Sequence, residues 1–235
     1  MLSNIYMKRI YIYIFLLLCF TVFMAYYNTY RMTMIEGFEE KPKTIVLLGD
    51  SILKNNVYVT KGVDEIMRSE TECKVVSLAR DKTTIGHTYK QIDEIPENLN
   101  VPTTVVVLSV GGNDIIESYI DGPYDASEDR DYLSKLFGSY KSLVAELRKK
   151  MDKARVVLLD IYYPANSQYK EFYPLIKSWN KRQSEYSKDA GIEDVIKISD
   201  SLTKPQDFAF DIEPSDKGGK KIVDAILSSI DQGDK

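Results

Sequence analysis

A serine and an asparagine each follow an apolar run, in positions from which their side chains can act on a carbonyl group. Ser51 comes after Thr44–Leu48 and a Gly-Asp dipeptide, and Asn113 comes after Thr104–Val110 and a Gly-Gly dipeptide. A serine with small neighbours on a tight turn can present its hydroxyl as a nucleophile. A side-chain amide can donate a hydrogen bond to a developing oxyanion. Two of the three elements of acyl transfer are therefore present, and the third is a base.

The elements that must position these two side chains alternate between strand and helix patterns. Apolar runs predict five strands, at Thr44–Leu48, Lys74–Leu78, Thr104–Val110, Arg155–Asp160 and Asp194–Ile198. Helical patterns lie at Val59–Arg68, Thr84–Ile95, Tyr132–Met151, Glu171–Lys188 and Asp216–Ile230. This alternation is typical of parallel βαβ units with right-handed crossovers. We predict a flavodoxin-like, three-layer α/β/α sandwich with a five-stranded parallel sheet in the order 2-1-3-4-5.

The predicted strand order brings the two motifs together. Strands 1 and 3 are neighbours in that order, and their carboxyl ends open into the same crevice at the topological switch point. Ser51 and Asn113 are more than 60 residues apart in the sequence. We nevertheless expect them to face one another across this crevice.

The two motifs resemble those of a known family. Gly49-Asp50-Ser51-Ile52 and Gly111-Gly112-Asn113-Asp114 are similar to motifs of the SGNH, or GDSL-type, hydrolases, and the resemblance covers Thr44–Ile230. It implies the flavodoxin-like sandwich and activity on ester-linked acyl groups. It also implies Ser51 as the nucleophile, with Asn113 and the backbone N–H of Ser51 as oxyanion donors, and no metal or organic cofactor.

Two positions depart from the family pattern, and the first is in the loop after strand 2. The family usually has a glycine there, whose backbone N–H is a further oxyanion donor. In this chain Lys82 stands at that position, and Gly86 is the alternative if the loop is shifted. A lysine still has a backbone N–H, so Lys82 can take this role.

The second departure concerns the base. The family has an Asp, two residues and then His-Pro before the last helix, whereas this chain has Phe210 and Glu213-Pro214 at those places, with Asp211 one position off. Burial can raise a carboxyl pKa far enough for it to act as a base near neutral pH, so Glu213 or Asp211 is a candidate. The single histidine, His87, is another candidate. It is equally open that no competent base exists.

Each of these residues also has a simpler interpretation. The Gly49-Asp50 pair is typical of a tight turn, and Asn113 is a suitable helix N-cap. Glu213 fits a solvated loop before a helix. The alternative to an esterase is therefore a catalytically inactive SGNH-like fold that binds a ligand.

The first 42 residues differ in character from the rest. Ile10–Tyr27 contains no charge, and its 18 residues would span about 27 Å as a helix. We predict a short cytoplasmic segment at 1–9, a transmembrane signal-anchor at 10–27, a stalk at 28–42 and a hydrolase-like domain at 43–235. Lys8 and Arg9 before the run favour a domain on the extracytoplasmic or lumenal side. A cleaved signal peptide and a buried helix are the alternatives.

Composition and charge argue against some classes of binding partner. The net charge is −4 over 235 residues and no strongly basic block is present, which argues against nucleic acid. No glycine-rich phosphate loop opens the first helix, which argues against a nucleotide or flavin binder. The expected partners are the membrane, through the N-terminal helix, and a small acyl-ester, lipid or acylated-glycan substrate.

Overall fold

The computed structural model describes residues 16–27, 41–117, 128–192 and 195–231. The chain divides into two compact units, Met1–Glu40 and Lys41–Lys235. In the first unit, residues 16–27 form an exposed helix, while the remainder of the predicted anchor, 10–15, lies outside the described residues, as do 1–9 and most of the stalk. Among the residues described, no helix combines the length and the apolar character needed to cross a membrane.

The second unit contains the predicted sheet. Five parallel strands lie in the order β2-β1-β3-β4-β5, which confirms the prediction. Their bounds are β1 Thr44–Gly49, β2 Lys74–Ser77, β3 Thr104–Ser109, β4 Arg155–Leu159 and β5 Val195–Ile196. β1 and β3 pair in register from Thr44↔Thr104 to Gly49↔Ser109, so the residues that follow these two strands emerge side by side.

Helices cover both faces of the sheet. They are α1 Val63–Glu70, α2 Ile85–Asp93, α3 Gly112–Glu117, α4 Glu128–Lys150, α5 Tyr173–Asp189, α6 Ile198–Ser201 and α7 Asp216–Asp231. Side chains alternate along β1, so that Val46 and Leu48 belong to the core shared with α2, α4 and α5. Ile45 and Leu47 belong to the core shared with α1 and α7. The three layers follow from this alternation.

Several predicted boundaries were wrong. The first helix begins at Val63 rather than Val59, because the buried Asn55 Oδ1 accepts a hydrogen bond from the Val63 N–H at 3.0 Å and fixes its start there. Of the predicted strand Asp194–Ile198, Asp194 lies outside the described residues, and within the described part only Val195 and Ile196 pair with β4. Ile198 instead begins α6, whose Ser199 donates from its N–H and its hydroxyl to Asp160.

One further element was not predicted from the sequence. A two-stranded antiparallel hairpin, β6 Phe208–Ala209 and β7 Glu213–Pro214, precedes α7, and Ala209 pairs with Glu213. This hairpin carries the candidate base.

Candidate active site

Ser51 lies on a turn that only glycine permits at its start. Gly49 has φ +120°, and a Cβ at this position would lie 1.6 Å from the backbone oxygen of Ser109 on β3. The Asp50 N–H donates to that same oxygen at 3.1 Å. The Asp50 carboxylate accepts from the Ile52 N–H at 3.1 Å and from the Ser109 hydroxyl at 2.9 Å. The end of β1 is thus locked against β3, and Ser51 follows directly.

Glu213 is the residue that the structure places against the serine. The Ser51 hydroxyl donates to Glu213 Oε1 at 3.1 Å, although the two residues are 162 positions apart. The other oxygen, Oε2, is buried and has no hydrogen-bond partner among the described residues. A serine hydroxyl and a carboxylate in hydrogen-bond contact are the arrangement of a nucleophile and its base.

The pKa of Glu213 suits this arrangement. Burial raises the pKa of the Glu213 carboxyl to about 7, against a lowering by the Ser51 hydrogen bond, and the negative charge of Asp81 raises it further. A carboxyl with a pKa near 7 is partly ionised at neutral pH and can both take up and return a proton. Burial likewise raises the pKa of neighbouring Asp50 to about 7.

Two hydrogen bonds, one part-buried and one buried, fix the segment around Glu213. The Tyr162 hydroxyl donates to the Ile212 carbonyl at 2.6 Å, from the loop after β4. The Asn55 amide donates to the Pro214 carbonyl at 2.7 Å, from the loop after β1. The residues on either side of Glu213 are therefore tied to two loops at the carboxyl edge of the sheet.

Asn113 lies in the first turn of α3 and borders the same pocket as Ser51 and Glu213. One N–H of its amide donates to the Thr83 carbonyl at 2.9 Å, in the loop after β2. Gly111, before it, has φ +114°, and a Cβ there would lie 2.4 Å from the ring of Trp179. The asparagine loop is therefore packed directly against the single tryptophan of the chain.

Lys82 has the backbone conformation of a glycine position. Its φ is +55°, in the left-handed region that glycine adopts most readily. Gly86, the alternative, lies inside α2 and its φ is not in that region. The geometry favours Lys82 over Gly86 as the counterpart of the family glycine. Its side chain is exposed.

The other two candidate bases lie elsewhere. Asp211 is exposed at the turn of the β6–β7 hairpin, with φ +70°, and is not among the residues that line the pocket. His87 is exposed on α2, where its Nδ1 is 3.0 Å from the Thr84 hydroxyl oxygen. Neither contacts Ser51 in the described structure.

Sequence reasoning missed a buried glutamine beside the site. Gln91 is 1% exposed, and its amide binds the backbone of Gly49 and the hydroxyl of Thr83. The signal was available, because Ile85, Thr88 and Ile92 lie on the buried face of the same helix and Gln91 falls within it.

Ser51, Asn113 and Glu213 border one mostly apolar pocket with a cavity volume of about 50 Å³. Apart from Ser51, Asn113 and Glu213, its lining is dominated by apolar and aromatic side chains: Ile115, Ile116, Ile161, Tyr162, Pro164, Tyr169, Phe172, Ile176 and Ile212. Within the described part of the chain, no group of three His, Cys, Asp or Glu side chains is placed to hold a metal ion.

Comparison with known proteins identifies the fold. No protein-family model matches the sequence, and no curated protein matches it either. A Bacteroides fragilis protein described as an acylhydrolase is similar in structure, with a TM-score of 0.63 and 20% identity over 85% of this chain and 94% of that one. A GDSL-like lipase from Bacteroides thetaiotaomicron gives a TM-score of 0.59 and 20% identity over 88% of this chain and 97% of that one.

An acetyl xylan esterase is also similar, with a TM-score of 0.56 and 18% identity over 79% of this chain and 98% of that one. At this level of identity the likeness establishes architecture. The chain therefore has the fold of the SGNH, or GDSL-type, hydrolases.

Proposed function

We propose that this protein is a serine ester hydrolase of the SGNH type in which Glu213 does the work usually given to histidine. The observation that carries the proposal is the hydrogen bond from the Ser51 hydroxyl to Glu213 Oε1 at 3.1 Å. Burial, which raises the pKa of Glu213 to about 7, supports a role as general base. The fold similarity to lipases and esterases supports the same reaction class.

In the acylation half-reaction, the Ser51 oxygen attacks the ester carbonyl carbon while its proton passes to Glu213 Oε1. The resulting tetrahedral oxyanion is stabilised by hydrogen-bond donors placed where the charge develops. The proposed donors are the backbone N–H groups of Ser51 and Lys82 and the second N–H of the Asn113 amide. When the C–O bond of the ester breaks, protonated Glu213 returns its proton to the departing alcohol.

In the deacylation half-reaction, water takes the place of the alcohol. Glu213 accepts a proton from the water as its oxygen attacks the acyl-serine carbonyl, and the same donors hold the second oxyanion. Collapse of this intermediate breaks the bond to the Ser51 oxygen, which recovers the proton from Glu213. The products are a carboxylic acid and the free serine.

The lining of the pocket supports a proposal about the class of substrate. Its wall of isoleucine and aromatic side chains fits an apolar acyl group, while the reactive pair lies at the polar part of the lining. A small acyl ester, a lipid or an acylated glycan meets this requirement, and one similar structure is an acetyl xylan esterase.

We further propose that the N-terminal segment anchors the domain to a membrane, on its extracytoplasmic or lumenal side.

A fluorophosphonate probe tests the serine and the base together. The full chain, purified in mild detergent, is treated with the probe and its intact mass is measured for wild type, Ser51→Ala and Glu213→Gln. We expect one adduct on wild type, none on Ser51→Ala, and labelling at least about 10²-fold slower on Glu213→Gln, in line with loss of general-base assistance.

Two other outcomes would overturn parts of this proposal. Labelling of Ser51→Ala at the wild-type rate would exclude Ser51 as the nucleophile. An unlabelled wild type that is shown to be folded by circular dichroism would favour the catalytically inactive, ligand-binding alternative.

A further inference from the structure

Gln91 is a polar side chain within an apolar layer, and its hydrogen bonds converge on the proposed site. It lies on α2 and is 1% exposed, on the helix face that also buries Ile85 and Ile92. A buried carboxamide without partners is strongly destabilising, so its bonds must be satisfied by the surrounding structure. Among the described residues it makes three, to Gly49 at the end of β1 and to Thr83 in the loop after β2.

Two of these bonds form a closed pair with one residue. Gln91 Oε1 accepts from the Gly49 N–H at 2.7 Å, and Nε2 donates to the Gly49 carbonyl at 2.9 Å. Gly49 is two residues before Ser51 and is the residue whose left-handed backbone sets the direction of the turn. The amide of Gln91 therefore holds the backbone of Gly49 in place, and with it the start of the Ser51 turn.

The third bond reaches the neighbouring loop. Gln91 Nε2 also donates to the Thr83 hydroxyl at 3.1 Å. Thr83 follows Lys82 directly, and the Thr83 carbonyl accepts the amide of Asn113 at 2.9 Å. One side chain thus connects the start of the Ser51 turn with the loop after β2, and through Thr83 with the loop after β3.

We propose that Gln91 is the positioning residue of the oxyanion site, holding the loops that carry Ser51, Lys82 and Asn113 at a fixed separation so that their three donors converge. The inference rests on the proposed function for its catalytic meaning. Oxyanion donors act only within a few tenths of an ångström of the required geometry, so the connection between their loops sets the rate. Gln91 itself touches no reacting atom.

A second buried glutamine provides a matched control. Gln183 on α5 is also 1% exposed, and its Nε2 donates to the Tyr140 hydroxyl at 2.8 Å and to the Leu159 carbonyl at 2.9 Å. It therefore joins a helix to a strand as Gln91 does, but none of these partners belongs to the proposed site. If Gln91 had a purely structural role, replacing either glutamine would affect stability without a specific loss of kcat.

The experiment compares Gln91→Leu with Gln183→Leu in the full chain. Hydrolysis of a short acyl ester gives kcat and KM, and urea unfolding gives the stability of each variant. We expect kcat to fall about 10²-fold in Gln91→Leu, the size typical of a small misplacement of catalytic donors, with KM changed less than about threefold. In Gln183→Leu we expect a kcat within about threefold of wild type and a smaller loss of stability, because Gln183 Oε1 is buried without a hydrogen-bond partner among the described residues. Equal kcat values for the two variants would overturn the proposal.

A milder pair of variants keeps the test decisive if Gln91→Leu does not fold. Thr83→Val removes the acceptor of the third bond while preserving shape and the Thr83 carbonyl, and Thr83→Ser restores a hydroxyl. We expect kcat to fall about tenfold in Thr83→Val and to recover in Thr83→Ser. An unchanged kcat in Thr83→Val would show that the connection between the loops is not needed.

Amide hydrogen exchange separates failure of this inference from failure of the proposed function. The Gly49 N–H is expected to exchange faster in Gln91→Leu than in wild type, and its protection is measured whether or not the protein is an esterase. If wild type proves inactive towards esters and probe, the proposed function fails, and unchanged exchange at Gly49 and at 80–84 then overturns the connection itself. Faster exchange with unchanged kcat in an active protein would assign Gln91 to stability alone.

Discussion

Ser51 and Glu213 are in hydrogen-bond contact, yet the two segments that carry them are built in different ways. The Ser51 turn continues a central strand: Gly49 is still paired with Ser109 in the sheet and is also bound by Gln91. Both backbone polar groups of Gly49 are therefore held within the core of the domain.

Glu213 lies instead on a hairpin outside the main sheet, with strands of two residues each. The hairpin turn contains Phe210 and Asp211 with φ +47° and +70°, a left-handed conformation that is strained for phenylalanine and better tolerated by aspartate. Two hydrogen bonds, from Tyr162 and Asn55, hold it against the site. The proposed nucleophile therefore lies on a turn that continues the central sheet, whereas the proposed base lies on a short hairpin outside that sheet.

The largest effect on stability is expected from a substitution in the turn that carries Ser51. In Gly49→Ala the new Cβ would meet the Ser109 carbonyl and the left-handed backbone would be strained, so we expect a loss of about 4 kcal/mol or more in the free energy of unfolding. Urea unfolding measures this. Gly138→Ala is the control, because nothing lies within 4 Å of its added Cβ, and it should stabilise α4 by up to about 1 kcal/mol. Similar stabilities for the two variants would show that the backbone at Gly49 is not as tightly constrained as the structure indicates.

The base side should be visible in the pH dependence of activity. Glu213 must be ionised to accept the serine proton, and burial raises its pKa to about 7. We therefore expect kcat/KM to rise with pH and level off above about pH 7, with a drop of about tenfold per unit on the acid side. Profiles from about pH 5 to 9 measure this. A pH profile whose acid side has its midpoint near 4.5, the ordinary pKa of glutamate, would contradict a general base with a raised pKa.

Stability should change with pH in the opposite sense. Burial raises the pKa values of Asp50 and Glu213 above their ordinary 3.8 and 4.5, to about 7, so the folded state binds more protons than the unfolded state between those values. The free energy of unfolding then decreases as pH rises through this window. We expect Tm to be higher at about pH 5 than at about pH 8 by roughly 10 °C, and the difference to shrink in Asp50→Asn. A Tm that rises with pH across this range would contradict this.

A smaller effect should follow from loosening the hairpin. Tyr162→Phe removes the hydroxyl bonded to the Ile212 carbonyl but keeps the ring that packs on Phe208, with centroids 5.3 Å apart. We expect about a tenfold lower kcat, since Glu213 is less well placed, and a loss of about 1 kcal/mol in stability. Tyr186→Phe, which loses a hydroxyl bonded to the Lys141 carbonyl, is the control and should leave kcat unchanged.

The smallest effect is expected at the hairpin turn itself. Asp211→Asn removes a carboxylate that was a candidate base while retaining a residue that tolerates left-handed backbone. Because Asp211 is exposed and outside the pocket, we expect kcat and its pH profile to stay within about twofold of wild type. A large loss of activity would instead indicate that Asp211 takes part in proton transfer.

The same contrast explains how far the sequence could be interpreted. The strand order and the meeting of the Ser51 and Asn113 loops were predictable, because buried parallel strands appear as apolar runs ended by glycine. The hairpin was not, since two-residue strands leave no period and its turn residues, Phe210 and Asp211, include no glycine. The family resemblance makes Glu213 a candidate base, and the folded structure brings it into contact with Ser51.

Long-range hydrogen bonds were the other obstacle. The partners of Gln91 are 42 and 8 residues away in sequence, and one of the two partners of Asn55 is 159 residues away. Local pattern identifies such residues as polar positions on a helix or loop but carries no information about which backbone groups they satisfy.

The contact between Gly111 and Trp179 gives the protein an internal optical reporter. The chain has one tryptophan, and it is fully buried with its ring against the glycine that begins the asparagine loop. Indole emission is sensitive to the packing and polarity around the ring. Steady-state or stopped-flow fluorescence of the unlabelled protein can therefore follow rearrangement of that loop as substrate or inhibitor enters, without an introduced dye.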